Sequence, residues 1–270
     1  MEINEALTLD KYLDHVATDL DNQYFPLSVV SPSELAGMSK EDERKCRLYG
    51  ATLIQQLGIL LRLPQDTISV GCSIFHRFYY KKTFMKCDCS IAACAALFIA
   101  TKVEEQPRKL RDVVITFDYV KKILSGHERP IPVMLYGSSS FTSLNKDAVS
   151  AEKYMMKVLG FSLKIDTAYK YLCEYIRILQ GTGRLRQKAW NYINDAYKTV
   201  AVVCFPPNAV AVTAIYIAAS NLNYGLPDCE WYKVFGVHDI RIIKVIGSEI
   251  LQLYEADIPD HIFAKRVASQ

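Results

Sequence analysis

Apolar residues recur three and four positions apart along most of this chain, and two stretches are apolar on every side. From Lys40 to Leu63 the spacing of Tyr49, Leu53, Leu57, Leu60 and Leu61 predicts a helix, with Ser39 as its N-cap and Pro64 as its stop. Asp66 is placed to cap a second helix that runs to about Tyr80. A third starts at Ser90 and reads Ile-Ala-Ala-Cys-Ala-Ala-Leu-Phe-Ile-Ala from Ile91 to Ala100. A helix without a polar face must be buried all round, so it is expected at the centre of its domain. Its end turns charged at Lys102, Glu104 and Glu105, and Pro107 predicts the start of a fourth helix reaching Leu124. Ser125 to Ser143, with Gly126, Pro130, Pro132, Gly137 and three successive serines, reads as a loop. A fifth helix is predicted from Asn145 to Leu159, closed by Gly160 in the C′ position.

The pattern then repeats. Thr167–Gln180 is amphipathic, Gly181-Thr182-Gly183 makes a turn, and Arg184–Val203 reads as one long helix. Pro206 and Pro207 open the second all-apolar stretch, Ala209 to Ala219. A short helix at Trp231–Phe235 and a longer one at Asp239–Tyr254 close the set. Leu97-Phe98-Ile99-Ala100 aligns with Ile215-Tyr216-Ile217-Ala218, an offset of 118 positions. The class is therefore all-α: two consecutive five-helix units, each around a buried central helix. The expected boundaries are an N-terminal arm over 1–38, a first unit over 39–162, a second over 163–256 and a tail over 257–270.

Composition narrows the function. Half of the 270 residues are hydrophobic, which supports a packed core, and no apolar run is long enough to span a membrane. Met1–Leu9 lacks the basic start and apolar stretch of a signal peptide. Lys and Arg total 32 against 29 Asp and Glu, a net +3 that argues against nucleic acid as the partner. The basic groups Lys81, Lys82, Lys86, then Arg108, Lys109, Arg111, then Lys121, Lys122 read as solvated faces near helix ends. The eight cysteines sit mostly in apolar runs and read as small hydrophobes, and Cys87-x-Cys89 has no nearby His to complete a zinc site. No nucleophile elbow, phosphate loop or metalloprotease motif occurs, and the five histidines are scattered singly, so no cofactor, metal or catalytic group is expected.

The most informative stretch is Ala100-Thr-Lys102-Val103-Glu104-Glu105-Gln-Pro107, a buried helix ending in a compact charged corner. It resembles the signature of the cyclin family. Gly58-Ile-Leu-Leu-Arg-Leu-Pro-Gln65, Arg77-Phe78, Pro107-Arg-Lys-Leu-Arg-Asp-Val113, Ala189-Trp-Asn-Tyr-Ile-Asn-Asp195 and Ile250-Leu-Gln-Leu-Tyr254 extend the resemblance over about residues 30 to 256. They are most similar to the transcription-associated branch, to cyclin L first and then to cyclins T and K. The resemblance implies two cyclin boxes and a non-catalytic, nuclear regulatory subunit. Its implied partner is a cyclin-dependent serine/threonine kinase in a heterodimer, acting in RNA polymerase II transcription and pre-mRNA splicing. It places the kinase-binding face at Arg47, Lys102, Val103, Glu104, Glu105, Glu152 and Phe161. Glu152 is located by the pattern Glu-x6-Leu-Gly-Phe, which here ends at Phe161. The run Cys46-Arg47-Leu48-Tyr49-Gly50, with Leu53 where many cell-cycle cyclins have Trp, argues against docking of Arg-x-Leu substrates. Two other readings stand beside it. One is a scaffold like transcription factor IIB, which shares the two-box fold but carries zinc-binding cysteines that Met1–Lys40 lacks. The other is a thiol enzyme, which would need a cysteine of lowered pKa.

Overall fold

The computed structural model describes residues 24, 25, 27, 30–128 and 130–255. Every regular element among them is helical. They form two compact units, Ser31–Ile165 and Asp166–Glu255.

The first unit holds α1 (Pro32–Leu35), α2 (Lys40–Leu60), α3 (Gln65–Lys81), α4 (Cys89–Val103), α5 (Leu110–Leu124) and α6 (Ser139–Val158). The all-apolar stretch is α4, and it packs against α2, α3, α5 and α6. Every residue from Ala92 to Thr101 is buried. Five of these are alanines, which let neighbouring backbones come close on all sides. Two glycines do the same for α2. A Cβ built on Gly50 would stand 2.1 Å from Phe75 Cζ, and one on Gly58 would stand 2.4 Å from Ile68 Cγ1. Both clashes are with α3, so this pair of helices can pack this closely only where α2 has no side chain.

The helix ends follow local chemistry, with instructive departures from the sequence reading. Ser39 caps α2 as expected, accepting from the Asp42 amide at 3.1 Å while its hydroxyl donates to the Asp42 carboxylate at 2.7 Å. Asp66 does not cap α3; it lies in the first turn behind Pro64, where its charge favours the helix dipole. Asp88 caps α4 by accepting from the Ile91 amide at 2.8 Å, one residue before the expected start. The arm assigned to the N-terminus contains α1, capped by Ser31. The largest shift is at α6. It starts at Ser139 rather than Asn145, because Ser138 accepts from the Phe141 amide at 3.2 Å. The serine run that looked like loop is a helix cap.

Pro107 does not open α5, which begins at Leu110. Arg108 instead turns its guanidinium to the open end of α2, donating to the Leu61 and Arg62 carbonyls at 3.0 Å each. These are acceptors that a helix C-terminus leaves without internal partners.

The second unit repeats the plan with α7 (Ala168–Ile178), α8 (Gly183–Ala196), α9 (Ala201–Cys204), α10 (Pro207–Asn221), α11 (Trp231–Val234) and α12 (Ile240–Glu255). Here α10 is central and packs against α7, α8 and α12. The expected continuous helix Arg184–Val203 is broken between α8 and α9. Thr199 donates back to the Ala196 carbonyl at 2.8 Å and accepts from the Ala201 amide at 3.2 Å, taking backbone groups that a continuous helix would use. Tyr197, in the same break, offers its hydroxyl oxygen to the Ala168 amide at 3.1 Å and so satisfies the start of α7.

Gly50→Ala and Gly58→Ala are each expected to destabilise the fold by about 1–3 kcal/mol, the overpacking cost outweighing a helix-propensity gain of about 1 kcal/mol. Urea unfolding followed by circular dichroism measures it; unchanged or raised stability would show that Phe75 and Ile68 have room to retreat.

Candidate functional site

The charged corner is built by the way α4 stops. Gln106 N–H bonds back to the Thr101 carbonyl at 2.8 Å and Glu105 N–H to the Lys102 carbonyl at 3.4 Å. This is a Schellman end, and it puts Glu105 in the left-handed region at φ 53° where glycine is usual. The chain therefore leaves the core abruptly, and Val103, Glu104 and Glu105 come to the surface within one turn of a fully buried helix. Burial, and next the nearby charge of Asp66, raise the Glu104 carboxyl above its ordinary value.

Lys102 and Glu152 meet across α4 and α6. The ammonium donates to Glu152 Oε1 at 2.5 Å and lies 4.1 Å from the Phe98 ring centre. The pair is asymmetric. The Glu152 side chain is 9% exposed and that of Lys102 50%, so the carboxylate is fixed in the wall and the cation reaches water. Partly exposed Val103 and Met156 lie on the same two helices. Phe161, just past the end of α6, is 68% exposed at φ 59°. It follows Gly160, which takes the expected left-handed C′ position at φ 63°.

Arg47 is placed elsewhere. Its guanidinium is buried, bonded to Glu43 Oε1 through Nε at 2.8 Å and through Nη2 at 2.6 Å, and to the His76 carbonyl at 3.2 Å. It also lies 4.9 Å from the Tyr80 ring centre. The other Glu43 oxygen accepts from the Ser31 hydroxyl. The structure thus joins Lys102 to Glu152, and joins Arg47 to a separate buried network. Nothing in the sequence points to Ser31, and for Glu43 the one signal is its i,i+4 spacing from Arg47.

Burial raises the thiols of Cys46, Cys87 and Cys89 above the ordinary value, and that of Cys94 to about 12. Protonated thiols at neutral pH are poor nucleophiles, which removes the physical basis for a thiol enzyme at these positions. Among the described residues no group of three or more His, Cys, Asp or Glu could hold a metal ion, and no helix is long and apolar enough to cross a membrane.

Comparison with known proteins matches residues 26–164 to the cyclin N-terminal domain. Human cyclin-L1 is 34% identical over 257 residues, covering 93% of this chain and 48% of that protein. The chain thus spans about half the length of the curated relatives it matches. The yeast RNA polymerase II CTD kinase complex CTDK-1 contains a similar fold, with a TM-score of 0.69 and 16% identity over 83% of this chain and 69% of that one. Yeast TFIIK (Kin28/Ccl1/Tfb3) contains another, with a TM-score of 0.57 and 18% identity over 81% and 89% of the two chains.

The two ion pairs should differ in what they contribute to stability. Glu43→Gln or Arg47→Met leaves a buried charge without its partner and is expected to cost about 3–5 kcal/mol. Lys102→Gln combined with Glu152→Gln strands no charge and should cost about 1 kcal/mol or less, since the pair opens to water on its lysine side. Urea midpoints of the three variants check this; equal losses would mean that the Lys102–Glu152 pair is also part of what holds the fold.

Proposed function

The chain belongs to the cyclin family, and from that premise we propose that it is the activating regulatory subunit of a cyclin-dependent serine/threonine protein kinase. The process is RNA polymerase II transcription, in the nucleus, with pre-mRNA splicing as the second process that the resemblance to cyclin L implies. The observation that carries this reading is the Lys102–Glu152 pair, held at the mouth of a helix that is otherwise buried on all sides.

A protein kinase is active when its αC helix brings a glutamate to the β3 lysine and its activation loop is ordered. A body that binds only that arrangement shifts the population by its difference in affinity for the two states. Moving from about 1:99 to 99:1 takes about 5.5 kcal/mol. Glu152 is set in the wall by packing, so little ordering remains to be done on binding. One N–H of the Lys102 ammonium is spent on Glu152, and the others can reach main-chain carbonyls at the end of a partner helix. Val103, Met156 and Phe161 supply apolar surface beside that polar pair, and Glu104 and Glu105 set the charge that a partner must match. Arg47 spends its guanidinium inside the first unit, tying α2 to the His76 carbonyl of α3. The chain contributes no catalytic group; the kinase does.

Lys102→Glu and Glu152→Gln are each expected to lower kinase affinity by about 2–5 kcal/mol while the helical circular dichroism signal stays that of wild type. The test is co-purification of the chain from its own cell extract, then phosphorylation of a Ser/Pro-rich polymerase-tail peptide by wild type and variants in parallel. Retention of an active kinase by wild type alone supports the reading. Recovery of DNA or polymerase without a kinase would move it to a IIB-like scaffold.

A further inference from the structure

The outer face of α6 carries a stripe of lysines that the fold does not use. Lys146, Lys153 and Lys157 are all exposed and spaced at i, i+7 and i+11, which brings them to one side of the helix over about 16 Å. Some other lysines find a carboxylate three or four residues away, while Lys81, Lys86, Lys109, Lys121, Lys164 and Lys244 are exposed with no ion pair among the described residues. Lys45 pairs with Glu41 at 2.9 Å, Lys122 with Asp118 at 2.6 Å, Lys170 with Asp166 at 2.8 Å and Lys198 with Asp195 at 2.7 Å. The three lysines of α6 have no acidic residue at i±3 or i±4, and no ion pair to them occurs among the described residues. Lys153 and Lys157 are themselves i,i+4, a like-charge spacing that destabilises a helix. What sets this group apart is that three exposed lysines share one side of the helix that carries Glu152, where their mutual repulsion has no compensation within α6.

The stripe borders the Lys102–Glu152 pair. Lys153 follows Glu152 directly, and the partly exposed Val149 and Met156 lie about one turn to either side of Glu152. The whole unit is biased the same way, since Ser31–Ile165 has 20 Lys and Arg against 13 Asp and Glu. Clustered charge at the rim of an interface acts on encounter and partner choice more than on the final contact.

We propose that Lys146, Lys153 and Lys157 form an electrostatic guide for an acidic surface of the partner kinase, selecting among kinases by charge beside the Lys102–Glu152 contact. This rests on the kinase-binding reading above. An acidic protein surface is favoured over nucleic acid because the stripe continues a face with exposed apolar side chains, Phe161 among them, that a phosphate backbone would leave uncovered.

The experiment measures association and dissociation rates of the kinase subunit that co-purifies with wild type, at 50 and 500 mM NaCl. It compares wild type with the triple variant Lys146→Glu, Lys153→Glu, Lys157→Glu. A control triple, Arg184→Glu, Lys188→Glu, Lys244→Glu, makes the same charge change in Asp166–Glu255. The expected result is an association rate for the α6 triple about tenfold below wild type at 50 mM salt and within about twofold at 500 mM. Its dissociation rate should be little changed, and the control triple should behave as wild type. The neutral triple Lys146→Gln, Lys153→Gln, Lys157→Gln should fall between them and melt no lower than wild type. Association rates equal to wild type at low salt overturn the guide while leaving the kinase reading intact. Equal slowing by both triples also overturns it, since net charge alone would then be acting. Loss of binding to a 20-nucleotide RNA with unchanged kinase rates would assign the stripe to nucleic acid instead. A wild type that binds no kinase overturns both readings together.

Discussion

The structure depends on burying one helix completely. From Ala92 to Thr101, α4 has no face toward water, so four other helices must surround it. Small side chains make that geometry possible: alanines along α4, and Gly50 and Gly58 where α2 meets α3. Around α10 the requirement is met only in part: Ala209 to Ile215, Ala218 and Ala219 are buried, but Tyr216, expected inside, is 42% exposed. A helix that is apolar all round has no stable place except at a centre, and the surrounding set of helices is the consequence.

The site is a by-product of how that central helix ends. A buried helix must bring its last carbonyls to partners, and here the Schellman turn does so in a single step. The turn delivers Val103, Glu104 and Glu105 to the surface beside Lys102. Because α6 crosses α4, the buried carboxylate of Glu152 can hold the lysine where it emerges. Arg108 fastens the segment after the turn to the end of α2, so the corner is tied to two helices at once. The result is a polar pair whose carboxylate is fixed in the core and whose cation faces solvent, a suitable arrangement for recognising the end of another helix.

Ser31, Glu43, Arg47 and the His76 carbonyl form the contrasting case. All the strong hydrogen-bonding capacity there is turned inward, and the arginine joins α2 to α3. The family resemblance groups Arg47 with Lys102 and Glu152. The physical chemistry of the two sites differs: one is buried and internally satisfied, the other is half open.

The helical class, the two repeated units and the identity of the central helices follow from the pattern of apolar positions alone, because an all-round apolar stretch has only one use. The sequence also marked Lys102 and Glu152 through the family signature, and placed Gly160 at a helix end through its conformational freedom. It could not determine that Ser138 caps α6, that Thr199 breaks the helix after Ala196, or that Arg108 turns to α2. Those outcomes depend on which backbone groups compete for one side chain, and the competitors come together only when distant segments pack. The depth of Glu152, the exposure of Lys102 and the separation of Arg47 from both were likewise decided by tertiary structure. A charged residue's role follows from its desolvation and its partners, and neither is a property of its place in the chain.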